Sequence, residues 1–460
     1  MSLTVAQHLT AVLARGFGEQ PAVVLVHSGA VVAHAAAMSI LNPTGDLCGD
    51  LETLAALHPA LAALIDPAAN PALHAASSSQ LAEIAAIWQD GTATEPGDAP
   101  RDPGYGHTLG DLYQHLSVEA RKGRALCQTP WWITSTLLDI SWDHAYEEGG
   151  PHIRMIDPSC GTGHILTEAL KRASIRQHLG PARSSRDDSP RLGWRIPALE
   201  RVHAALDTVH GVDLDPWAAV VARYRLLALA LLELRSFRYA PDADEVAALP
   251  LHVAQANSLL DEAEPLLERG RYDVVIANPP YITVKDKRVS EAIRKRYPET
   301  CHMKYSLALP FHQLMNELLR PGGWCAQLTG NSFMKREFGQ KYIEDYLVKY
   351  DLRWVIDTSG AYIPGHGTPT VILVNRNQPP TSDKVATILS DRGEPTKPAD
   401  PSRGLVWTDI ARMVDERESW ARFKAAATAA EPVAEPAAPE PPTVPVVYEQ
   451  PTLFDLLEVA

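Results

Sequence analysis

Lysine is missing from the first hundred residues of this chain, which hold nine acidic groups against a single arginine. That segment cannot supply the lysine of a common nuclease site, so nothing in it supports built-in cleavage. Cysteine is scarce as well. The five present (48, 127, 160, 301 and 325) are odd in number and form no Cys-x-x-Cys pair. This argues against disulfides and structural zinc, and for a reducing cytoplasm. No Gly-Lys-Ser/Thr occurs anywhere, which excludes a Walker A phosphate loop. Long apolar runs are also wanting. The one membrane-like stretch, Ala22 to Leu41, is interrupted by His27, Ser28, Gly29 and His34 and lacks a basic flank, so it reads as a buried core element. With 45% hydrophobic and 21% charged residues over 460 positions, the composition suits a globular protein of two or three domains.

What is present is a series of strand-end junctions. Arg271-Tyr-Asp-Val-Val-Ile-Ala277 ends in Asn278-Pro279-Pro280-Tyr281. The apolar run suits a buried central strand. The two prolines carry no backbone donor and forbid further pairing. A stiff loop results, able to hold an amide, bare carbonyls and an aromatic ring together. A planar amino group fits such a cluster: Asn278 Oδ1 and the Pro279 carbonyl accept its hydrogens while Tyr281 stacks on the attached ring. The plainer alternative is a Pro-Pro turn between strand and helix.

Ile153 to Ile156 reads as a second strand, leading into Asp157-Pro158-Ser159-Cys160-Gly161-Thr162-Gly163-His164 and then Ile165, Leu166, Ala169 and Leu170 at helical spacing. Strand, glycine loop and helix form the nucleotide-cradling unit of doubly wound sheets. The glycines admit a ligand close to the backbone, and the helix start offers unpaired N–H groups. A third strand, Val209 to Asp213, is followed by Leu214-Asp215-Pro216 and an apolar helix. An acid at that strand tip commonly holds a ribose diol, whereas Asp215 fits a helix N-cap better. A fourth strand, Leu251 to Ala256, ends in Asn257-Ser258, placed to meet a base edge.

Taken in order, these junctions resemble S-adenosylmethionine-dependent amino-methyltransferases of DNA, of the adenine-N6 kind in which cofactor motifs precede the catalytic one. Asp157 to Gly163 is similar to the family's methionine-binding loop, Gly211 to Asp215 to its ribose-binding turn, and Asn278 to Tyr281 to its catalytic tetrapeptide. Leu112-Tyr113 and Leu126-Cys-Gln-Thr129-Pro130 resemble the opening motif, whose Thr-Pro pair closes over the cofactor. Pro321 to Ala326 and Asn331 to Phe333 look like the strand and loop completing the catalytic half. The likeness covers about 110–378. Tyr281 to Lys287, Lys304 to Ala308, Met334 to Gly339 and Asp357 to Thr370 look more narrowly like the methyltransferase of phage-growth-limitation, or bacteriophage-exclusion, defence systems, which is typically far longer.

The resemblance implies a Rossmann-like class I methyltransferase with a mostly parallel seven-stranded sheet, binding S-adenosyl-L-methionine through Thr129, Pro130, Asp157, Pro158, Cys160, Gly161, Gly163, Asp213, Asn257 and Ser258. Asn278, Pro279, Pro280 and Tyr281 would be catalytic. The family's asparagine at the first catalytic position favours adenine. Carbon-5 methylation of cytosine would need a Pro-Cys nucleophile, which is absent. Cys160 reads as a small loop residue. An adenine inside a duplex must be everted. Tyr281 would stack on one face, and Tyr362 is the candidate for the other, its alternative being a loop aromatic packed near Pro364. Asn257 departs from the family's usual aspartate.

Net charge is −14, much of it carried by the first hundred residues. Basic groups gather between the first two cofactor motifs (Lys171 to Arg195) and after the tetrapeptide. Lys285, Lys287, Arg288 and Lys304 are the candidates for DNA phosphate contact; a solvated face is the bland reading. No metal is implied. The chain divides into 1–100, mainly helical and of unknown role; 105–380, the methyltransferase domain; 381–424, a short extension; and 425–460, an Ala/Pro-rich disordered tail. Gln450, Leu453 and Phe454 in that tail resemble a sliding-clamp-binding peptide, with a terminal turn packing on its own domain as the alternative. No separate target-recognition domain is legible, so DNA specificity would come from a partner subunit, defence-system proteins, the first hundred residues or catalytic-domain loops. The rival readings are an RNA or protein-glutamine methyltransferase and a catalytically silent DNA subunit.

Overall fold

A computed structural model describes residues 2–88, 108–116, 128–179, 197–364, 367–389 and 393–429. Cys127, the end of the basic cluster at Arg195 and the clamp-like Gln450, Leu453 and Phe454 lie outside these residues.

The centre is one sheet of eight strands: β1 Met155–Asp157, β2 Val209–Asp213, β3 His252–Gln255, β4 Tyr272–Ala277, β5 Leu319–Gly330, β6 Asp351–Asp357, β7 Thr370–Arg376 and β8 Ala386–Ile388. Their spatial order is β3-β2-β1-β4-β5-β7-β6-β8. All pairings are parallel except those of β7 with β5 and β6. The seven strands expected become eight because Ala386–Ile388, only three residues long and exposed at its middle position, pairs in parallel with β6. A strand that short between polar turns carries no period of its own. It lies beyond the boundary read at 380, so the sheet continues into the segment taken for an extension.

Chain order reverses between β1 and β4, which lie side by side with Met155 opposite Val274 and Ile156 opposite Val275. Such a switch point opens a crevice at the carboxyl ends of the strands, where ligands of open α/β sheets bind. The loops after both strands therefore share one crevice. Val274, Val275, Ile276 and Ala277 are fully buried, as a central strand covered on both faces requires.

The first hundred residues are helical where described, as Ser2–Phe17, Glu19–Ala37, Leu47–Leu57 and Ser78–Trp88. They share a continuous apolar core with the methyltransferase half: Leu25, Val31 and Ile84 belong to the same cluster as Trp217, Leu227 and Met155. Glu19–Ala37 is long and apolar enough to cross a membrane, yet 72% of its most apolar window is buried inside the fold. Its Gly29 permits a close helix crossing, since a Cβ there would lie 2.7 Å from both Ile84 Cγ2 and Trp88 Cδ1. The last helix, Leu405–Ala429, buries Trp407, Ile410 and Val414 in the same core. It runs into the segment read as tail.

Candidate active site

The loop after β1 is shaped by its glycines. Gly161 and Gly163 have φ of +53° and +86°, in the left-handed region that only glycine enters without strain. The helix His164–Leu179 follows directly. Asp157 at the strand tip is buried, and its Oδ1 accepts from Ser159 N at 2.9 Å. Burial pushes its carboxyl up to about 8, against the pull of that hydrogen bond, and the neighbouring Asp213 adds to the rise. Cys160 is buried and its thiol is held well above the ordinary range, which suits a packing role. Gly211 makes room for it: a Cβ there would sit 3.0 Å from Cys160 Sγ.

Asp213 joins two loops. Its Oδ2 accepts from Gly161 N and its Oδ1 from Asp215 N, each at 2.8 Å. Burial raises its carboxyl to about 6 despite these bonds. Asp215 is the N-cap of helix Pro216–Ser236, accepting from Trp217 N and Ala218 N at 2.9 and 3.3 Å. The cap role read for Asp215 is the one it fills. Ser258 is buried and donates to the Pro158 carbonyl at 2.6 Å, pinning the β3 loop to the glycine loop. Asn257 turns back on itself, its Oδ1 accepting from Leu259 N at 3.2 Å.

The tetrapeptide stands at the end of β4, and one hydrogen bond carries it across to the opening motif. Asn278 Nδ2 donates to Thr129 Oγ1 at 3.1 Å, while Tyr281 Oη donates to Asn278 Oδ1. The two contacts agree on the amide's orientation: nitrogen toward the hydroxyl, oxygen toward the phenol. An amide oxygen has a second lone pair, the one an amino group would use. Thr129 is in turn fixed through its carbonyl, 3.0 Å from His164 Nδ1. Asn278 and Tyr281 are half-buried and Pro279 is buried.

Beside the tetrapeptide lies an open recess of about 200 Å³, lined by Thr358, Ser359, Ala361, Ile363, Thr368 and Thr370 among others. It adjoins Tyr281 through Gly330, whose Cβ position would be 3.6 Å from Tyr281 Cγ and 3.4 Å from Thr368 Cγ2. Tyr362 sits between two lining residues, with the Lys397 ammonium 5.3 Å from its ring centre. Lys285, Lys287, Arg288 and Lys304 are all exposed. Asp286 starts helix Lys287–Arg296 by accepting from Arg288 N at 2.8 Å. In the earlier basic cluster, Arg172 is committed to Asp139 and Asp143 at 2.7 and 3.2 Å, and Lys171 to Glu168 at 3.3 Å.

Two further contributors were not among the cofactor-binding residues read from the sequence. Arg225 is buried in helix Pro216–Ser236 and donates to the Thr162 carbonyl at 2.6 Å, bracing the glycine loop from behind. A charge inside an apolar helical run was the available clue. Gln128, next to the Thr-Pro pair, is buried against the same loop, and its Nε2 lacks a hydrogen-bond partner among the described residues. The Cβ position of Gly161 lies 3.9 Å from that nitrogen. An orphaned donor at a glycine cradle is what an acceptor-bearing ligand would satisfy. The loop therefore fits the carboxylate end of S-adenosylmethionine.

A parallel sheet reversed between β1 and β4, a glycine loop at one strand end and an Asn-Pro-Pro-Tyr loop at the next define the class I methyltransferase fold. Comparison with known proteins makes the assignment narrower. Residues 207–363 match the Eco57I restriction-modification methylase family. Over 366 residues, 70% of its length, the chain is 40% identical to the adenine-specific methyltransferase PglX of Streptomyces coelicolor. It spans 29% of that longer protein. Among solved structures, the type IIL restriction-modification enzyme MmeI in complex with DNA matches 86% of this chain and 59% of its own, with a TM-score of 0.53 and 14% identity. A component of a type I restriction-modification system matches 94% of this chain and 85% of its own, with a TM-score of 0.50 and 16% identity. The chain thus carries an Eco57I-type methylase region and is a relative of PglX.

Proposed function

We propose that this protein transfers a methyl group from S-adenosylmethionine to the N6 amino group of adenine in DNA, in a restriction-modification or phage-defence setting. The observation that carries the reading is the Asn278–Thr129 hydrogen bond across the crevice between β1 and β4. It supports the reading because Thr129, which Asn278 contacts, is itself bonded through its carbonyl to His164, the residue after the glycine loop.

S-adenosylmethionine, when bound, supplies an electrophilic methyl group on a sulfonium. Asp157, Pro158, Cys160, Gly161 and Gly163, with Thr129, Pro130 and Gln128, would hold its methionine end. Asp213 would hold the ribose, and the Asn257–Ser258 turn the adenine. For the target, Asn278 Oδ1 and the Pro279 carbonyl would accept the two amino hydrogens, favouring the pyramidal nitrogen whose lone pair is available for attack. No side chain forms a covalent bond, so alignment provides much of the acceleration. The everted base would stack on Tyr281, with the recess behind Gly330 receiving its far side and Tyr362 closing over it. Lys285, Lys287, Arg288 and Lys304 would meet phosphates, which position a duplex without reading its sequence.

Incubation with tritiated S-adenosylmethionine and DNA, RNA or protein acceptors tests the substrate class. Sequencing that reports modified bases then identifies the atom. Label in DNA as N6-methyladenine is expected. Label confined to RNA or protein, or found as N4-methylcytosine, would overturn the reading.

A further inference from the structure

The first hundred residues have no role in this reading, yet one of their side chains reaches the ribose turn. Gln20, at the start of helix Glu19–Ala37, donates through Nε2 to Tyr113 Oη at 2.6 Å and lies 3.4 Å from Asp215 Oδ2. Tyr113 Oη donates to the same Asp215 oxygen at 2.7 Å. The connection then continues along the backbone: Asp215 N donates to Asp213 Oδ1, and Asp213 Oδ2 receives Gly161 N. An unbroken series of hydrogen bonds runs from the N-terminal helices to both cofactor loops.

The same N-terminal helix also contacts the helix that follows the turn. Trp217 Nε1 can only donate, and it meets His27 Nδ1 at 3.0 Å. That nitrogen is therefore the acceptor, and His27 Nε2 carries the proton it gives to the Leu109 carbonyl at 2.8 Å. Burial keeps the ring neutral by lowering it to about 4. His27 thus joins helix Thr108–Leu116, which carries Tyr113, to helix Pro216–Ser236, which Asp215 caps.

We propose that Tyr113 and Gln20 are positioning residues for the cofactor, and that the N-terminal helices set cofactor affinity by fixing the Gly211–Asp215 turn. The inference rests on the reading that this turn receives the ribose. Tyr113 is buried and Asp215 half-buried, and a hydroxyl bonded to a carboxylate makes a charge-assisted hydrogen bond, stronger than a neutral one. Without it, Asp215 keeps its capping bonds and the longer Gln20 contact but loses the shorter of its two lateral hydrogen bonds. Asp213, hung from Asp215 N, then samples a wider range of positions.

The test is calorimetric binding of S-adenosylhomocysteine to the full-length wild type and to the Tyr113→Phe and Gln20→Leu variants, with methyl transfer measured alongside. Tyr113→Phe keeps the ring and is expected to raise Kd about three- to tenfold, the scale of one charge-assisted hydrogen bond partly transmitted. Gln20→Leu, at a half-buried site, should raise it less, and the double variant little more than Tyr113→Phe alone because both act on one carboxylate. KM for the cofactor should follow Kd, while kcat at saturating cofactor stays within about twofold. Kd unchanged in both single variants, or kcat reduced with Kd unchanged, overturns the proposal. Should Tyr113→Phe fail to fold, Gln20→Leu alone decides. Wild-type protein that binds no S-adenosylhomocysteine would instead overturn the ribose reading itself.

Discussion

The two halves of the crevice are held in different ways. On the β1–β2–β3 side, most of the polar side chains of the loops are spent on backbone: Asp213 on Gly161 N and Asp215 N, Asp157 on Ser159 N, Ser258 on the Pro158 carbonyl, Arg225 on the Thr162 carbonyl, with Asp215 also taking the Tyr113 hydroxyl. On the β4–β5 side, the contacts run between side chains, Tyr281 to Asn278 to Thr129. Beyond them lie an open recess and a row of exposed cations. A cofactor of fixed shape is served by loops locked before it arrives. A base that must leave a duplex needs acceptors that can exchange one partner for another. On the proposed reading, this difference in how the two halves are held would divide binding from chemistry.

That contrast breaks most visibly at Asn278. Asn278→Ala should lower methyl transfer by about a hundredfold or more, the scale of losing a preorganised polar contact to the reacting group. Its Kd for S-adenosylhomocysteine should stay within a few-fold of wild type, and parallel kinetics and calorimetry check both. Asp213→Ala should act on the other half, raising cofactor Kd about tenfold or more and lowering the melting temperature, since two backbone donors lose their acceptor. Comparable losses of kcat and cofactor affinity in both variants would erase the distinction. Neutralising Lys285, Lys287 and Arg288 together should shallow the slope of log K for DNA against log salt by about 2 to 3, at about 0.9 per phosphate contact. An unchanged slope would return these residues to a merely solvated face.

Protonation sharpens the comparison further. Asp157 and Asp213 hold their protons more tightly in the folded protein than in the unfolded chain, with values of about 8 and about 6 against 3.8. Their stabilising contribution is therefore complete below about pH 4 and declines as pH rises through 6 and then 8. A cationic cofactor favours the ionised carboxyls, so its affinity should rise several-fold over the same window, with proton uptake by the buffer. Calorimetry in buffers of different ionisation enthalpy measures this, and Asp157→Asn should remove the upper part of the dependence. The smallest effect belongs to Tyr281→Phe. It keeps the stacking ring and loses one hydrogen bond worth about 1 kcal/mol, so transfer should fall less than tenfold.

The parts of the site legible in the sequence were those whose chemistry is local. Asn278-Pro-Pro-Tyr follows a strand that prolines must end, and the glycines of 161–163 follow another. Each sits at its strand tip in the structure for the reason the sequence suggested. Asp215 was readable as a cap because Pro216 follows it. Gln20 was not legible, and the roles of Gln128 and Arg225 were not, because each acts on a loop distant in sequence. The bond of Asn257 to its own turn was not legible either, because a side-chain amide beside a turn can bond its own backbone as readily as a ligand. The eighth strand was missed because three residues cannot show a period of two.

By itself, then, the sequence determined the strand tips and their polar groups, because alternation, proline and glycine act over a few residues. Tertiary structure alone decided that β1 and β4 are neighbours, that Asn278 meets Thr129, and that a helix from the first hundred residues reaches Asp215. Those pairings follow from burying the apolar faces of distant segments in one shared core, and that burial depends on how the whole chain packs.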